Sequence, residues 1–405
     1  MAGYRDLVRT PGVLRIIAAQ LTARFPNGMT SLVILLHIEG ITGSYGAAGT
    51  VLAAASIGQA LAGPVTSRLM GRFGRRRVIT LTTLICAVAL TAMAFWIAPL
   101  YVYIVLGFIA GLTTPPIVAA ARTIYPKLVT SRQLTALYSL DASLQEIIWI
   151  LAPVLITVTA TQFGTTQGLM LVVVILIGGC SWFVLSPEVG RVRIPPSKRA
   201  FGKVLSRPPV LLAAIIGFLF IGSFAAVEAS VVATFNHQGL DAGIVLAVFS
   251  IGSLIGGFAF GHLPMGPWAM ARRLTVVTIG LALASLWLNV WWISVTLFAA
   301  GIGIAPALAV GSAITTASVK FSDTAEAFGW TGTGQLIGAA VGSAVAGFLI
   351  DITGGPAAGF WAATALCALA LVVAVVFVRS MPDLRVRGAA PLPDTDVIRT
   401  VAPSP

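Results

Sequence analysis

Four charged residues interrupt long apolar stretches of this 405-residue chain, namely Arg24, Asp141, Glu146 and Glu228. A charge inside the hydrocarbon layer of a membrane is costly unless it is paired or faces water, so such residues are candidates for function. Counting about 1.5 Å per residue from the ends of the stretches places Arg24 and Glu146 near mid-membrane. We expect these two to pair, so that protonation of the carboxylate releases the arginine and couples proton movement to transport. A static ion pair that only fixes helix packing is the alternative.

The other two acids have different expected environments. Asp141 and Gln145 are one helical turn apart and share a face, whereas Glu146 points elsewhere on the same helix. We expect Asp141 to be interfacial and to pair with Arg122 or Arg132. Glu228 has no obvious basic partner in its half of the sequence, which leaves two readings open: a protonated group in helix packing, or a carboxylate that binds a cation.

Neutral polar and aromatic side chains in the same stretches are candidates for a cavity lining. Amides can orient a ligand by hydrogen bonding, and aromatic rings offer apolar contact. An amphiphilic or aromatic small molecule would fit such a lining. The candidates are Phe25, Asn27, Gln59, Trp149, Phe224, Trp330 and Gln335.

Motifs for catalysis, cofactors and metals are missing from the sequence. It contains no GxxxxGK[ST] phosphate loop, no HExxH and no plausible catalytic triad. The three cysteines are far apart and lack CxxC spacing, which argues against disulfides and zinc. We therefore expect no enzymatic activity, no cofactor and no metal site.

Composition places the chain in a lipid bilayer. Hydrophobic residues make up 58% and charged residues 9% of the sequence, and the mean hydropathy is +0.97. A water-soluble domain with this balance would expose large apolar patches. The net charge of +12 arises from basic residues in short loops, so we ascribe it to membrane topology and expect no nucleic-acid partner.

Twelve apolar spans account for most of the chain, and they predict an all-α integral membrane protein. All 25 Lys and Arg residues except Arg24 fall on one side of the membrane when the chain is threaded through these spans. Because basic residues near span ends stay in the cytoplasm, both termini are expected to be cytoplasmic in a cell-membrane protein. The first span is long and contains Arg24, so it reads as a membrane helix and not as a cleavable signal. The predicted spans are 12–38, 44–70, 77–97, 100–124, 134–161, 166–186, 210–236, 243–263, 273–290, 291–316, 326–351 and 356–379.

The spans divide into two pseudo-symmetric six-helix halves. We assign residues 1–186 to the first half, 187–209 to a basic cytoplasmic linker, 210–379 to the second half, and 380–405 to a tail expected to be disordered. An internal repeat supports the division: Ser56-Ile57-Gly58 recurs as Ser250-Ile251-Gly252, and Phe108 with its following residues recurs at Phe298. Parallel repeats of this kind frame a central site in many transporters.

Twelve spans, a central basic linker and the string GRFGRRRVIT after the second span resemble the major facilitator superfamily. Its loop between helices 2 and 3 usually carries Asp-Arg, Gly and a basic pair, and Arg72, Gly74, Arg76 and Arg77 match, while Gly71 replaces the acid. The resemblance implies a cytoplasmic gating role for this loop, together with the helix-ending Arg68. Simple topology signalling is the alternative. The missing acid puts the family's charge latch in doubt.

The resemblance also carries expectations about function. The glycine-rich span WTGTGQLIGAAVGSAVAG is similar to helix 11 of bacterial efflux-type members. Many drug/proton antiporters carry a glycine-rich stretch ending in Gly-Pro in helix 5, where this chain has Ala152-Pro153 without the preceding glycines. The expected function is proton-coupled export of a small amphiphilic molecule by a monomer, with protons or another ion as the coupling partner. Import of a sugar or organic ion, and a non-transporting sensor or scaffold, are the alternatives. Small residues at four-residue spacing further predict that the eighth and eleventh spans pack tightly together.

Overall fold

A computed structural model describes residues 4–192, 195, 200–235, 241–261 and 263–394 of the chain. The described part is almost entirely helical, and ten of its helical stretches are long and apolar enough to cross a membrane, two of them, Leu100–Leu128 and Val290–Ala317, being interrupted within the stretch. The two remaining predicted spans are also helical: the first is broken into two shorter helices, and the ninth is 16 residues long. The architecture is therefore the expected bundle of twelve spans.

The first half runs from α1 to α6 and the second from α7 to α12. In the first half the helices are α1a Val13–Arg24, α1b Thr30–Thr42, α2 Tyr45–Phe73, α3 Arg75–Phe95, α4a Leu100–Leu112, α4b Ile117–Leu128, α5 Ser131–Gln162 and α6 Thr165–Leu185. In the second half they are α7 Pro208–Phe235, α8 Asp241–Phe260, α9 Ala269–Ala284, α10a Val290–Gly301, α10b Ile304–Ala317, α11 Thr324–Thr353 and α12 Ala357–Val376.

The break in α1 lies beside the charged residue that the sequence singled out. A short 3-10 helix, Phe25–Gly28, separates α1a from α1b and holds Pro26 near its start. Proline lacks a backbone N–H and cannot donate to the preceding helical turn, so it interrupts the α-helix here. Arg24 is the last residue of α1a and lies directly before this break.

The internal repeat corresponds to equivalent contacts in the two halves. A Cβ at Gly58 in α2 would overlap the carbonyl oxygen of Phe108 in α4a, and a Cβ at Gly252 in α8 would overlap that of Phe298 in α10a. Without side chains at these glycines the paired helices approach closely, which is a main source of helix association in lipid. The repeated residues thus mark the same helix contact in each half.

The predicted packing of the eighth span against the eleventh is wrong. A Cβ at Gly256 in α8 would overlap the backbone of Ile302, just after α10a, and one at Gly338 in α11 would overlap Phe218 in α7. Gly256 and Gly338 thus serve close packing on neighbours within their own half, whereas Gly257 of α8 and Gly329 of α11 lie against α5 and α2 of the first half. Spacing of small residues identifies a surface that allows close approach and does not name the helix that approaches it.

The two halves meet along α2 with α11 and along α5 with α8 and α10b. A Cβ at Gly63 in α2 would lie 2.9 Å from the carbonyl oxygen of Gly329 in α11. On the other side of the bundle, the Ser139 hydroxyl in α5 donates to the carbonyl oxygen of Gly257 in α8 at 2.9 Å. These contacts lie towards the end where α2 meets α3 and where the linker begins, which we call the basic end. The other end is called the opposite end.

The expected disorder of residues 380–405 is wrong for the part of the tail that the structure describes. The tail forms a short helix, Leu384–Arg387, and Leu392 then pairs with the segment between α10b and α11, donating to Val319 at 2.8 Å and accepting from Phe321 at 3.1 Å. That segment has unpaired backbone groups, so an added chain satisfies them. Residues 395–405 and linker residues 193–194 and 196–199 lie outside the described residues.

Candidate functional site

Arg24 pairs with Asp141 and not with Glu146, so the predicted partner is wrong. Its Nη1 lies 3.0 Å from Oδ1 of Asp141, and its Nη2 donates to the side-chain oxygen of Gln145. Asp141 and Gln145 share the face of α5 that is turned towards α1a. Glu146 lies on another face of the helix, because adjacent helical residues differ by about 100°.

Asp141 is buried at the centre of a polar cluster. The predicted interfacial position of this residue is therefore wrong. Its side chain is 1% exposed. Oδ1 accepts hydrogen bonds from Gln20 at 2.9 Å, Arg24 at 3.0 Å and Tyr125 at 3.2 Å. Oδ2 accepts from Nε of Arg122 at 3.4 Å, which is one of the two basic partners predicted for this acid. Two guanidinium groups thus share one carboxylate, and the cluster holds α1a, α4b and α5 together.

Glu146 forms a contact between the halves. The Ser253 hydroxyl in α8 donates to Oε1 of Glu146 in α5 at 2.9 Å. The Glu146 side chain is 8% exposed, and it lies farther from the basic end than the Ser139–Gly257 contact on the same pair of helices. The Glu146 carboxyl therefore joins α5 to α8 at this depth.

Glu228 differs from the other three charged residues in the spans. It is exposed, and within the described part of the chain it forms no hydrogen bond or ion pair. Arg24, Asp141 and Glu146 are all buried. The structure therefore brings Arg24, Asp141 and Gln145 together, and leaves Glu146 and Glu228 outside this cluster.

Asn27 and Gln59 line a small cavity within the first half, whose wall is mostly apolar with a polar part. Its volume is about 60 Å³, and hydroxyl groups of α1, α2 and α4 complete the polar part of its wall. The polar lining residues are Asn27, Thr30, Ser31, Ser56, Gln59 and Thr114. Phe25 instead lines an apolar groove of about 290 Å³ between α1, α5 and α6, and Trp149 is 50% exposed on α5.

The other three predicted lining residues are held in contacts between helices or with the linker. Trp330 packs on Phe201 of the linker, with ring centroids 5.5 Å apart. Phe224 packs edge-on against Phe249 of α8 at 5.7 Å, and Gln335 lies at the contact of α11 with α7. Each residue occurs in an apolar stretch, but rotation of its helix directs it to a neighbouring segment.

A charged contact closes the basic end. Nη1 of Arg68 in α2 lies 3.3 Å from Oε2 of Glu326 in the first turn of α11. The backbone N–H of Gly202 in the linker donates to Oε1 of the same carboxylate at 2.7 Å. The Arg68 guanidinium also lies over the ring of Phe201, 5.5 Å from its centroid. One carboxylate therefore joins α2, the linker and α11.

The rest of the predicted gating loop surrounds this contact. Gly71 lies within the last turns of α2, and Gly74 ends that helix with φ of +86°, a conformation that favours glycine. The Arg72 guanidinium lies over the adjacent Phe73 ring. Arg76 reaches the linker side of the loop, and Arg77 is exposed. Position 71 lacks the acid that is usual in the family. The charge contact at this end runs instead from Arg68 to Glu326 on α11.

Aromatic contacts extend the closure and connect it to the Asp141 cluster. The Tyr138 hydroxyl in α5 lies 2.5 Å from that of Thr316 in α10b. The Arg122 guanidinium, which also binds Asp141, lies 5.2 Å from the ring centroid of Phe328 in α11. The cluster in the first half is therefore in direct contact with the second half.

Sequence reasoning missed Glu326, Ser253 and Tyr125. Glu326 lies at the very start of a predicted span, where an acid usually serves the positive end of a helix, so its position does not mark it as a charge inside the membrane. Ser253 and Tyr125 are uncharged and occur among many similar residues. No feature of the sequence distinguishes them.

Comparisons with known proteins agree with this architecture. The family model described as Major Facilitator Superfamily matches residues 16–288 and 257–400. A bacterial homologue of the iron transporter ferroportin, solved in an outward-facing state, is similar with a TM-score of 0.73 and 15% identity over 90% of this chain and 98% of that one. The human organic anion transporter MFSD10 (TETRAN) has a TM-score of 0.70 and 14% identity over 90% of this chain and 100% of that one.

The E. coli fucose:proton symporter FucP is similar to the same degree, with a TM-score of 0.70 and 14% identity over 90% of this chain and 98% of its own. At such identities the likeness shows the fold alone. No functionally curated protein matches the sequence. The family model covers nearly the whole chain, and the chain is therefore a multi-pass member of the major facilitator superfamily, a family of transporters and not of enzymes.

Proposed function

We propose that this protein exports a small amphiphilic molecule in exchange for protons across the cell membrane. The basic end, which carries nearly all Lys and Arg residues, faces the cytoplasm in this proposal, because such residues are retained there. The structure then corresponds to an outward-facing state, in which contacts between the halves are concentrated at the cytoplasmic end. Rocking of the halves about these contacts would expose the central space to each side in turn.

The observation that carries the proposal is the hydrogen bond from Ser253 to Glu146. A hydrogen bond to a carboxylate is about twice as strong as one between neutral groups. Protonation of Glu146 from outside therefore weakens the contact between α5 and α8 and favours opening of the cytoplasmic end. The proton is then released inside, and the return step with bound substrate moves that substrate outwards.

The Arg24–Asp141 cluster has a supporting role in this mechanism. It keeps α1a, α4b and α5 together as a unit, so that a change at Glu146 moves the helices of the first half together. Arg122 connects this unit to α11 through Phe328. In this mechanism the cluster keeps the helices of the first half rigid while Glu146 gains or loses its proton. Arg24 does not pair with Glu146 at any step.

Purified protein in liposomes with a pH gradient tests the coupling. Ethidium serves as an amphiphilic probe, and trapped pyranine reports proton flux. Glu146→Gln should retain exchange of ethidium down its own gradient but lose the dependence on the pH gradient. Glu39→Gln, at the opposite end of α1b, should keep both. Unchanged coupling in Glu146→Gln with intact transport would overturn the proposal.

Import of a small polar metabolite is the second candidate, favoured by the amide and hydroxyl groups that form part of the cavity wall in the first half. One structurally similar protein is, by its description, a fucose:proton symporter. The direction of accumulation separates the two functions. An inwardly acidic gradient should drive uptake into inside-out vesicles for the exporter, whereas an importer coupled by symport would lose substrate from those vesicles.

A further inference from the structure

Glu228 is a carboxyl group without a partner among the residues that the structure describes. It is exposed and has no hydrogen bond or ion pair in the described residues. A group that served helix packing would be buried against a neighbouring helix, so that reading of the sequence is not supported. A carboxylate at membrane depth is tolerable when it faces water.

The face of α7 that carries Glu228 follows from its neighbours. On one side, Phe224 packs on Phe249 of α8. On the other side, a Cβ at Gly222 would lie 2.8 Å from the carbonyl oxygen of Gly338 in α11. At about 100° per residue, Glu228 lies between these two contacts and away from the face buried within the second half. Its side chain therefore occupies the gap between α8 and α11.

That gap opens towards the first half. The helices α8 and α11 are those through which the second half contacts α5 and α2, at Ser253–Glu146 and Gly329–Gly63. A side chain between them points into the space between the halves. Glu228 lies near the Phe235 end of α7, which is the opposite end, so it lies on the open side of the closure.

An aromatic side chain of the first half borders the same space. Trp149 is 50% exposed. Around α5 it lies between Ala152, which is buried within the first half, and Glu146, which contacts α8. Trp149 therefore faces the second half beyond the closure. An indole ring attracts cations through its electron-rich face.

The charge around the mouth has the same sign as Glu228. The predicted loops at the opposite end contain no Lys or Arg, whereas Glu39, Asp241 and Asp351 lie at helix ends there. A cleft lined by one sign of charge raises the local concentration of the opposite ion and repels ions of its own sign. The mouth therefore selects against anions.

We infer that Glu228 binds the positive group of the substrate, which is a lipophilic cation such as a protonated amine or quaternary ammonium carried on an apolar body. This inference rests on the proposed function and names its substrate class. The carboxylate neutralises the charge, and Trp149 contacts the cation or its apolar body. Neither contact requires movement of the buried Asp141 cluster.

A thiol reporter beside Glu228 tests the geometry without any substrate. Val232 lies one turn away on the same face and is 48% exposed, so Val232→Cys should fold and react. The reaction rates of the introduced thiol with a cationic and an anionic methanethiosulfonate reagent are compared in nanodiscs. The parent protein, whose three cysteines are buried, gives the background rate. Glu228→Gln should lower the cation-to-anion rate ratio about tenfold, from one charge at 5–6 Å. Asp6→Asn should change it less than about twofold, because Asp6 is exposed at the basic end, more than a Debye length from position 232.

Binding of tetraphenylphosphonium and of its anionic counterpart tetraphenylborate tests the substrate class. We expect the cation to bind, its Kd to rise about tenfold or more in Glu228→Gln, and the anion to bind weakly in both proteins. Equal binding of the two ions, an unchanged Kd, or an unchanged reagent ratio would overturn the inference.

Flux assays in liposomes keep the two proposals apart. Transport of tetraphenylborate or of a neutral probe alone would contradict only the assignment of a cationic substrate. Binding of tetraphenylphosphonium without flux of any probe would contradict only the proposal of transport.

Discussion

Replacing Gly329 by alanine should loosen the closed basic end. Gly329 lies in α11 directly against α2, and a Cβ there would lie 2.6 Å from the carbonyl oxygen of Gly63 and 2.8 Å from Cα of Pro64. Both atoms belong to the backbone and cannot rotate aside, so α2 and α11 must separate. Gly332, one turn along the same helix, provides the matched control because a Cβ there would meet nothing within 4 Å.

The size of the effect follows from the cost of overpacking. Forcing a methyl group into a well-packed contact costs about 1–3 kcal/mol. Alanine also favours a helix over glycine by about 1 kcal/mol, but that gain is the same in the closed and open states and occurs in both variants. The open fraction should therefore rise about 5- to 150-fold in Gly329→Ala and stay within about twofold of the parent in Gly332→Ala.

A buried thiol at the closure measures this fraction. Thr316 is fully buried beside Tyr138, so Thr316→Cys should react with an impermeant thiol reagent only when the basic end opens. The labelling rate then scales with the open fraction. Equal rates in the two alanine variants, or no increase in either, would refute the reasoning that Gly329 permits closure.

Three further outcomes are expected. Asp141→Ala leaves the buried Arg24 guanidinium and the partly buried Arg122 guanidinium without their carboxylate. It should reduce the free energy of unfolding by about 3–5 kcal/mol, seen as a lowered Tm in detergent; a Tm within a degree or two of wild type would contradict the role of this cluster. Deleting residues 381–405 removes the tail from the basic end and should speed labelling at position 316, whereas deleting 395–405 should leave the rate unchanged; equal rates would contradict a role for the packed tail. Burial acts to raise the pKa of the Glu188 carboxyl, but the hydrogen bond and charge of Arg15 outweigh it, so the pKa lies below its usual value. A lowered folded-state pKa stabilises the protein above the unfolded value and is lost as the pH falls through the folded one. The stability lost in Arg15→Gln should therefore be present at pH 7 and fade below about pH 4, and a constant loss across this range would contradict the assignment.

Local features of the sequence were enough to predict the twelve helical spans and several of their close contacts. Lipid acts on each segment separately: every span must be apolar and must satisfy its own backbone hydrogen bonds, so composition and length identify it. The break in α1 at Pro26 has a local cause of the same kind. The repeat of Gly58 and Phe108 at Gly252 and Phe298 likewise marked surfaces that allow close approach.

The partners of individual side chains required the tertiary structure. Arg24 and Glu146 lie at similar predicted depths, yet rotation of α5 turns Asp141 to the arginine and Glu146 to the other half. Trp330 and Glu326 depend on where the linker crosses the basic end, which no nearby residue specifies. The sequence left two interpretations of Glu228, a packing group or a cation-binding carboxylate. The choice depends on whether the side chain is exposed, which is decided by the gap between α8 and α11.

Sequence alone determined that this chain crosses the membrane repeatedly as two related halves, since each span satisfies its apolar and backbone requirements by itself. Tertiary structure decided which polar groups meet, because a helix presents its residues all round its axis and only the packing of the whole bundle selects the neighbour each face receives. The same packing decided which end is closed, through contacts between residues that are far apart in the chain.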